Sequence, residues 1–236
     1  MKRLLIHVEG ETEEDFVNYV LAPHLYDKGY ETVGARLVGN ARLRQRRGGI
    51  RAWSSVRADI VKHLREDQGS VATTMVDYYA LPSTGEKAWP GRDEAGRLQF
   101  DRKADTVEQA LQADLTAFMG VDFDQRKFIP FVIMHEFEGL LFSDCAAFSR
   151  GIYRPELQAD FQVIRDAFKT PEEINDSPVT SPSKRVLAII PNYEKPLLGT
   201  LAVLAIGLDN IRGACPHFSD WVTRLERATI GPNMAL

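Results

Sequence analysis

Residues 4–15 read LLIHVEGETEED. A short apolar run, Leu4, Leu5, Ile6 and Val8, stops at Glu9 and Gly10. A β-rich run of this length bounded by Gly suits a parallel strand covered on both faces. Thr12 with Asp15 three residues on is a capping-box-like helix start, Asp standing where Glu is usual, and Phe16, Val17, Val20 and Leu21 recur at helical spacing. Strand, acidic turn and helix form the opening unit of an α/β sheet. The turn, with Glu9, lies on the rim where such sheets bind ligands.

Working outward, Thr32 to Val38 reads as a second strand. The segment after it changes character: between Arg36 and Arg65 there are nine Lys or Arg residues and one acid, Asp59. Its centre, ARLRQRRGGIR at 41–51, carries five arginines around a Gly-Gly pair and reads as a flexible cationic loop. A helix follows, with Trp53, Val56, Ile60 and Leu64 on its core side. Val71 to Tyr79 is the third strand by its β-branched and aromatic content, and it delivers Asp77 near its C-terminal end. Residues 81–103 turn to Pro, Gly and charge and read as an inserted loop. Thr106 to Met119 is an amphipathic helix, and Phe128 to Met134 is the fourth strand, running into His135-Glu136-Phe137-Glu138.

Beyond Ser143 the pattern is helical, near Pro155 to Phe168, Leu197 to Ile206 and Phe218 to Arg227, with a loop at 177–185. The expected fold is α/β, a mainly parallel, Rossmann-like sheet of about four strands flanked by helices, with a helical C-terminal third. Residues 1–143 form the α/β core and 144–236 a helical extension packed on it as one compact unit. No internal repeat or linker divides the chain.

Lys and Arg number 29 against 33 acids, so the net charge of −4 gives no global sign of nucleic-acid binding; a local patch has to supply it. The two cysteines, Cys145 and Cys215, lack the spacing of a zinc ribbon or a disulfide framework, which fits a reducing, cytoplasmic location. The N-terminal apolar run is too short for a signal peptide, and no stretch reads as a membrane span.

Three strand ends offer carboxylates: Glu9, Asp77, and Glu136 with Glu138. In a parallel sheet all these ends share one rim. Carboxylates gathered there repel one another unless a divalent cation lies between them, and an oxygen-rich site suits Mg²⁺ or Mn²⁺, ions that serve phosphoryl chemistry. Glu13 is a first-turn acid favoured by the helix dipole, or a ligand reaching over the same rim. His135-Glu136 lacks the second histidine of a zinc helix, and His217 near Cys215 reads as a packed turn. Arg42, Arg44, Arg46, Arg47 and Arg51, dense beside Gly, suit a nucleic-acid backbone. Lys184, Arg185 and Lys195, in a Pro-bounded polar stretch, offer either further cations for a transition state or surface charge.

The segments Val8-Glu9-Gly10-x-Thr12-Glu13, Asp77-Tyr78-Tyr79, His135-Glu136-Phe137-Glu138-Gly-Leu-Leu-Phe, Ser181-Pro182-Ser183-Lys184-Arg185 and Cys215-Pro216-His217-Phe218 together resemble the family known as domain of unknown function 4276. That family is grouped with TOPRIM-like domains, including those of topoisomerases, primases and the overcoming-lysogenisation-defect nucleases. The resemblance implies a Mg²⁺-dependent site with a glutamate after the first strand and Asp-x-Asp after the third. Glu9 and Asp77 match; Tyr79 occupies the second Asp position, and Glu136 or Glu138 would replace the missing ligand. It also implies a nearby-encoded ABC or SMC-like ATPase as partner in phage defence. The expected activity is a nuclease in which Glu9, Asp77 and Glu136 or Glu138 hold Mg²⁺ or Glu9 acts as general base, the arginines and Arg185 hold nucleic acid, and Lys184 or Lys195 stabilises the leaving oxygen. A non-catalytic module of the same fold is the alternative, and a homo-oligomer stays open.

Overall fold

The computed structural model describes residues 2–38, 50–175, 177 and 179–229. Its sheet has the order β2-β1-β3-β4, formed by β1 (Lys2–Val8), β2 (Tyr30–Leu37), β3 (Ser70–Asp77) and β4 (Phe128–Ile129), with β5 (Val132–Ile133) also on β3. Every pairing is parallel. All eight residues of β3 are buried, as a central strand covered on both faces requires.

Strand alternation divides the core in two. Leu4, Ile6, Val8, Val71 and Met75 face α1 (Glu11–Phe16), α2 (Ala22–Asp27) and the C-terminal helices. Ala72 and Val76 face α3 (Trp53–Glu66) and α5 (Phe100–Met119). Between α1 and α2 the backbone passes through a π-helical turn, Val17–Leu21. The helix begins at Glu11 with Gly10 as its N-cap and no side-chain cap, so Thr12 is a residue of the first turn and not the cap its spacing suggests.

The fourth strand is not continuous. Pro130, which has no N–H to give a ladder, separates β4 from β5. Side chains of β3 satisfy the interrupted backbone: Thr73 Oγ1 donates to the Ile129 carbonyl, while Thr74 Oγ1 donates to Phe131 O at 2.9 Å and accepts from Phe131 N at 3.0 Å. Residues 81–103 are more ordered than their composition suggests. They include α4 (Arg92–Ala95), and Trp89 is buried against Trp53 with ring centroids 5.1 Å apart.

The C-terminal region contains α6 (Cys145–Gly151), α7 (Gln158–Asp166), α8 (Pro182–Ile189), α9 (Lys195–Ala214) and α10 (Pro216–Ala228). Helix α8 begins at Pro182, inside the expected loop at 177–185, and takes up its last four residues. Helix α9 is longer than its sequence pattern suggested and, by length and composition alone, is long and apolar enough to cross a membrane. It buries Ala202, Val203, Ile206 and Ile211 and is interrupted at Gly207, whose φ of 76° is left-handed backbone that favours glycine.

Candidate functional site

The register of the sheet brings the acidic residues together. Val8 pairs with Met75, so Glu9, just beyond β1, comes beside the end of β3, and the Asp77 backbone N–H donates to Glu9 Oε2 at 3.3 Å. Asp77 shares the parity of Val71 and Met75, so its side chain lies on the face covered by α1 and α9. Its Oδ1 accepts from Phe137 N at 2.9 Å, tying the chain after β5 back to the rim. The turn that makes this possible passes through His135, at φ 64°; its Nδ1 contacts the Ile174 carbonyl and its own carbonyl accepts from Tyr79 N.

Glu13, one turn into α1, is buried, and a Cβ on Gly10 would meet its Oε2 at 2.9 Å. Gly10 therefore leaves room for that carboxylate to fold back over the rim. Glu138 sits in a 3-10 helix, Phe137–Ser143, with no solvent exposure. Lys195, the first residue of α9, reaches over both strand ends: its Nζ stands 3.1 Å from Glu138 Oε2 and 3.9 Å from Asp77 Oδ2.

Four carboxylates thus share one lysine, an uneven balance in a buried place. Burial, reinforced by Glu13, pushes the Glu9 carboxyl up to about 7. Burial also raises Asp77 and Glu138, Lys195 pulling both the other way. Burial alone would lower Lys195, but Asp77, Glu138 and Glu13 raise it instead, so it stays an ammonium. Glu13 Oε1 and Glu138 Oε1 are buried with no hydrogen-bond partner among the described residues. Orphaned carboxylate oxygens cost free energy unless a cation or proton meets them. The donors are carboxylate oxygens, the type a hard divalent cation takes, though among the described residues no three of these acids bring ligand atoms within 4.8 Å of one another.

The other expected residues lie elsewhere. Glu136 is turned from the rim, its Oε2 accepting from Ser183 N at 2.7 Å at the start of α8. Lys184 is exposed on α8 and makes no ion pair with the rim among the described residues. Arg185 is engaged locally, donating to Thr180 O and Asn175 Oδ1 and lying over the Phe168 ring. Arg51 pairs with Asp59 at 3.2 Å. Arg42, Arg44, Arg46 and Arg47 fall outside the described residues. Tyr79 is partly exposed.

One neighbour escaped the sequence reading. The Tyr193 hydroxyl is buried with no hydrogen-bond partner among the described residues, and burial, then Glu138 and Glu13, raises its pKa. Nothing in the sequence marks it beyond its place two residues before Lys195.

The group of the described residues whose ligand atoms do lie that close together is away from the rim. Asp105, Glu108 and His217 present ligand atoms all within 4.8 Å of one another and could hold a metal ion. Glu108 also serves the fold: its Oε1 accepts from Val132 N at 3.0 Å and its Oε2 from Arg224 at 3.2 Å. His217, in the first turn of α10, has Nε2 3.0 Å from Glu108 Oε1; burial opposes its charge, but Glu108 raises its pKa overall.

Fold and site define a parallel α/β protein with a buried acidic cluster and a lysine counter-ion at the strand ends. The chain belongs to the family described as Domain of unknown function (DUF4276), whose family model matches residues 8–226, from the last residue of β1 into α10. No curated protein and no solved structure matches it.

Proposed function

We propose that the chain is a Mg²⁺- or Mn²⁺-dependent phosphodiesterase acting on nucleic acid, with Glu9, Glu13, Asp77 and Glu138 as the metal-holding carboxylates. The observation that carries this reading is the pair of buried oxygens, Glu13 Oε1 and Glu138 Oε1, with no hydrogen-bond partner among the described residues, in a group of four carboxylates beside one lysine. When bound, such an ion neutralises phosphate charge and makes a bound water a better nucleophile. Glu9 would either hold the ion with the other carboxylates or, its carboxyl pushed up to about 7 by burial and Glu13, act instead as the base for the attacking water. Lys195 remains charged and supplies a fixed cation for the departing oxygen rather than a proton. The resemblance to TOPRIM-like nucleases supports the same assignment for Glu9 and Asp77, and through it a role as effector of an ATPase-linked phage-defence system.

The test is incubation of the purified chain with plasmid DNA and with RNA, in Mg²⁺, Mn²⁺ or chelator. Cleavage is expected with metal and not with chelator, and Glu9→Ala or Asp77→Asn should lower it by about 10²-fold or more. Cleavage by Glu9→Ala at the wild-type rate would sink the proposal.

A second reading is a non-catalytic module that binds a partner ATPase or nucleic acid. It is favoured by the Lys195 ammonium, which occupies space between Asp77 and Glu138 where an ion would lie, and by Tyr79 in place of an acid. Absence of cleavage by the wild type with the neighbouring ATPase and metal present, together with stable association of the two proteins, would select it.

A further inference from the structure

Asp105 and Glu108, three residues apart, share one face of α5, and His217 comes across to them from the first turn of α10. None of the three is a rim carboxylate. Two of them are held in place before any ion arrives. The His217 ring stacks on the buried Phe131, centroids 5.1 Å apart. The Glu108 side chain is 6% exposed, with Oε1 accepting from Val132 N of β5 and Oε2 from Arg224.

The pairing of His217 with Glu108 is incomplete. Nε2 stands 3.0 Å from Glu108 Oε1, yet it is buried with no hydrogen-bond partner among the described residues, so the ring N–H direction does not run along that line. Ligand atoms of one tetrahedral zinc, each about 2.0–2.2 Å from the metal, stand roughly 3.3 Å from one another. The 3.0 Å pair therefore already has close to the separation of two ligands of a single ion. Asp105 is exposed, so rotation of its side chain can bring its oxygen the rest of the way. Arg224 offsets one of the two carboxylates; with a neutral His217, one negative charge is left for a cation to meet. A cleft of about 720 Å³ opens over Asp105 and Glu108, lined also by Gln109, Gln112, Gln125 and Arg224, and gives an ion a route from solvent.

We infer that Asp105, Glu108 Oε1 and His217 Nε2 bind a divalent transition ion of the Zn²⁺ class, its remaining position open to this cleft. The donor set separates this site from the rim: an imidazole nitrogen suits Zn²⁺ and its neighbours in the first row, whereas carboxylates alone suit Mg²⁺. Three protein ligands with a fourth position left open is the arrangement of a reactive zinc rather than a structural one. Carboxylate and main-chain contacts that fix the ligands in advance are the outer shell such sites depend on.

The experiment is titration of the full chain with Zn²⁺ in excess Mg²⁺, followed by calorimetry and by the imidazole nitrogen NMR resonances of the five histidines. The rim offers carboxylates and no histidine ligand, so an ion bound there does not coordinate a ring nitrogen. One Nε2 resonance is expected to move on addition of Zn²⁺, and its absence from His217→Gln to assign it to His217. Asp105→Ala changes an exposed side chain; it is expected to keep the melting temperature of the metal-free wild type and to bind Zn²⁺ at least tenfold more weakly. Asp77→Asn, altered at the rim, is expected to retain the His217 response. No Zn²⁺ uptake in excess Mg²⁺, uptake with the His217 ring unmoved, or equal affinity in wild type and Asp105→Ala would overturn the assignment and leave His217 as the protonated partner of the two acids. Loss of the His217 response in Asp77→Asn would overturn it too, by making the two sites one.

Discussion

At Lys195 one ammonium faces Glu138 at 3.1 Å and Asp77 at 3.9 Å, while its own side chain is 41% exposed. Removing one partner of a buried ion pair typically costs about 3–5 kcal/mol, but solvent screening of a half-open lysine brings the expected loss for Lys195→Met nearer to 1–3 kcal/mol. An ion bound among the carboxylates would take over the lost charge, so Mg²⁺ should raise the melting temperature of Lys195→Met more than that of the wild type. Equal melting shifts with and without Mg²⁺ would count against a metal at the rim. His7 offers a different test. Burial, then His63 and Arg36, lowers its pKa to about 3, and its Nε2 has no partner among the described residues. The unfolded chain takes up the proton near 6.5 and the folded one near 3, so between these values the unfolded state binds more protons and stability falls as pH falls. From pH 7 to pH 5 this one group should cost about 2 kcal/mol, and urea titrations of His7→Leu should lack that loss. Glu9 and Asp77 were legible in the sequence because a strand end fixes where such a residue sits. The choice of Glu138 over Glu136 was not: two acids two residues apart are separated by packing, one held at the start of α8 and the other drawn under Lys195.

Helix packing supplies the frame for that lysine. Gly151, the last residue of α6, has no room for a side chain: a Cβ there would meet Ala205 Cβ at 2.7 Å and the Leu201 carbonyl oxygen at 2.8 Å. Backbone cannot swing away as a side-chain tip can, so Gly151→Ala should force α6 from α9 and destabilise by about 1–3 kcal/mol. Gly213, late in α9, has nothing within 4 Å of its would-be Cβ. There the same substitution gains helix propensity, and Gly213→Ala should stabilise by about 0.5–1 kcal/mol. Urea titration of the pair gives opposite signs if the α6–α9 contact is as close as described; equal effects would refute it. The elements themselves were read from the sequence unevenly. β1 and β3 announced themselves by apolar and β-branched runs, because a central parallel strand must be apolar on both faces. The break at Pro130 is visible as a proline, but its repair by the Thr73 and Thr74 hydroxyls is a contact 57 residues away in sequence for Thr74 and Phe131. Helix α8 was missed because SPVTSPSKR has the composition of a loop, and its start is completed by Glu136 from elsewhere in the chain.

Across the whole molecule, the core on the α1 side of the sheet draws on both parts of the chain. Val8, Phe16, Met75 and Phe131 pack in one cluster with Phe148, Phe161, Val203, Phe218 and Trp221. Phe131 stacks on Trp221 at 4.3 Å, and polar ties cross the same boundary: Tyr30 Oη donates to Leu225 O at 2.9 Å, Trp221 Nε1 to Thr73 Oγ1 at 2.9 Å, and Thr200 Oγ1 to Asp15 Oδ2 at 2.9 Å. The sequence shows the change from strands to helices near residue 143, but periodicity within each part cannot reveal that their apolar faces are complementary. Each large side chain left uncovered would forfeit about 1.5–3 kcal/mol, so several together exceed the margin of an ordinary domain. A chain ending at Ser143 is therefore expected not to fold, and the full chain to unfold in one transition. The tryptophans make this measurable: Trp53 and Trp89 report the α3 side of the sheet and Trp221 the other. Fluorescence of a variant keeping only Trp221, fluorescence of Trp221→Phe, and far-ultraviolet circular dichroism should each fit a single urea transition with the stability of its own protein, without an intermediate plateau. A Trp221 signal lost at lower denaturant than the helical signal of the same variant would mean that the C-terminal helices leave the sheet independently, taking Lys195 from the carboxylates before the strands come apart.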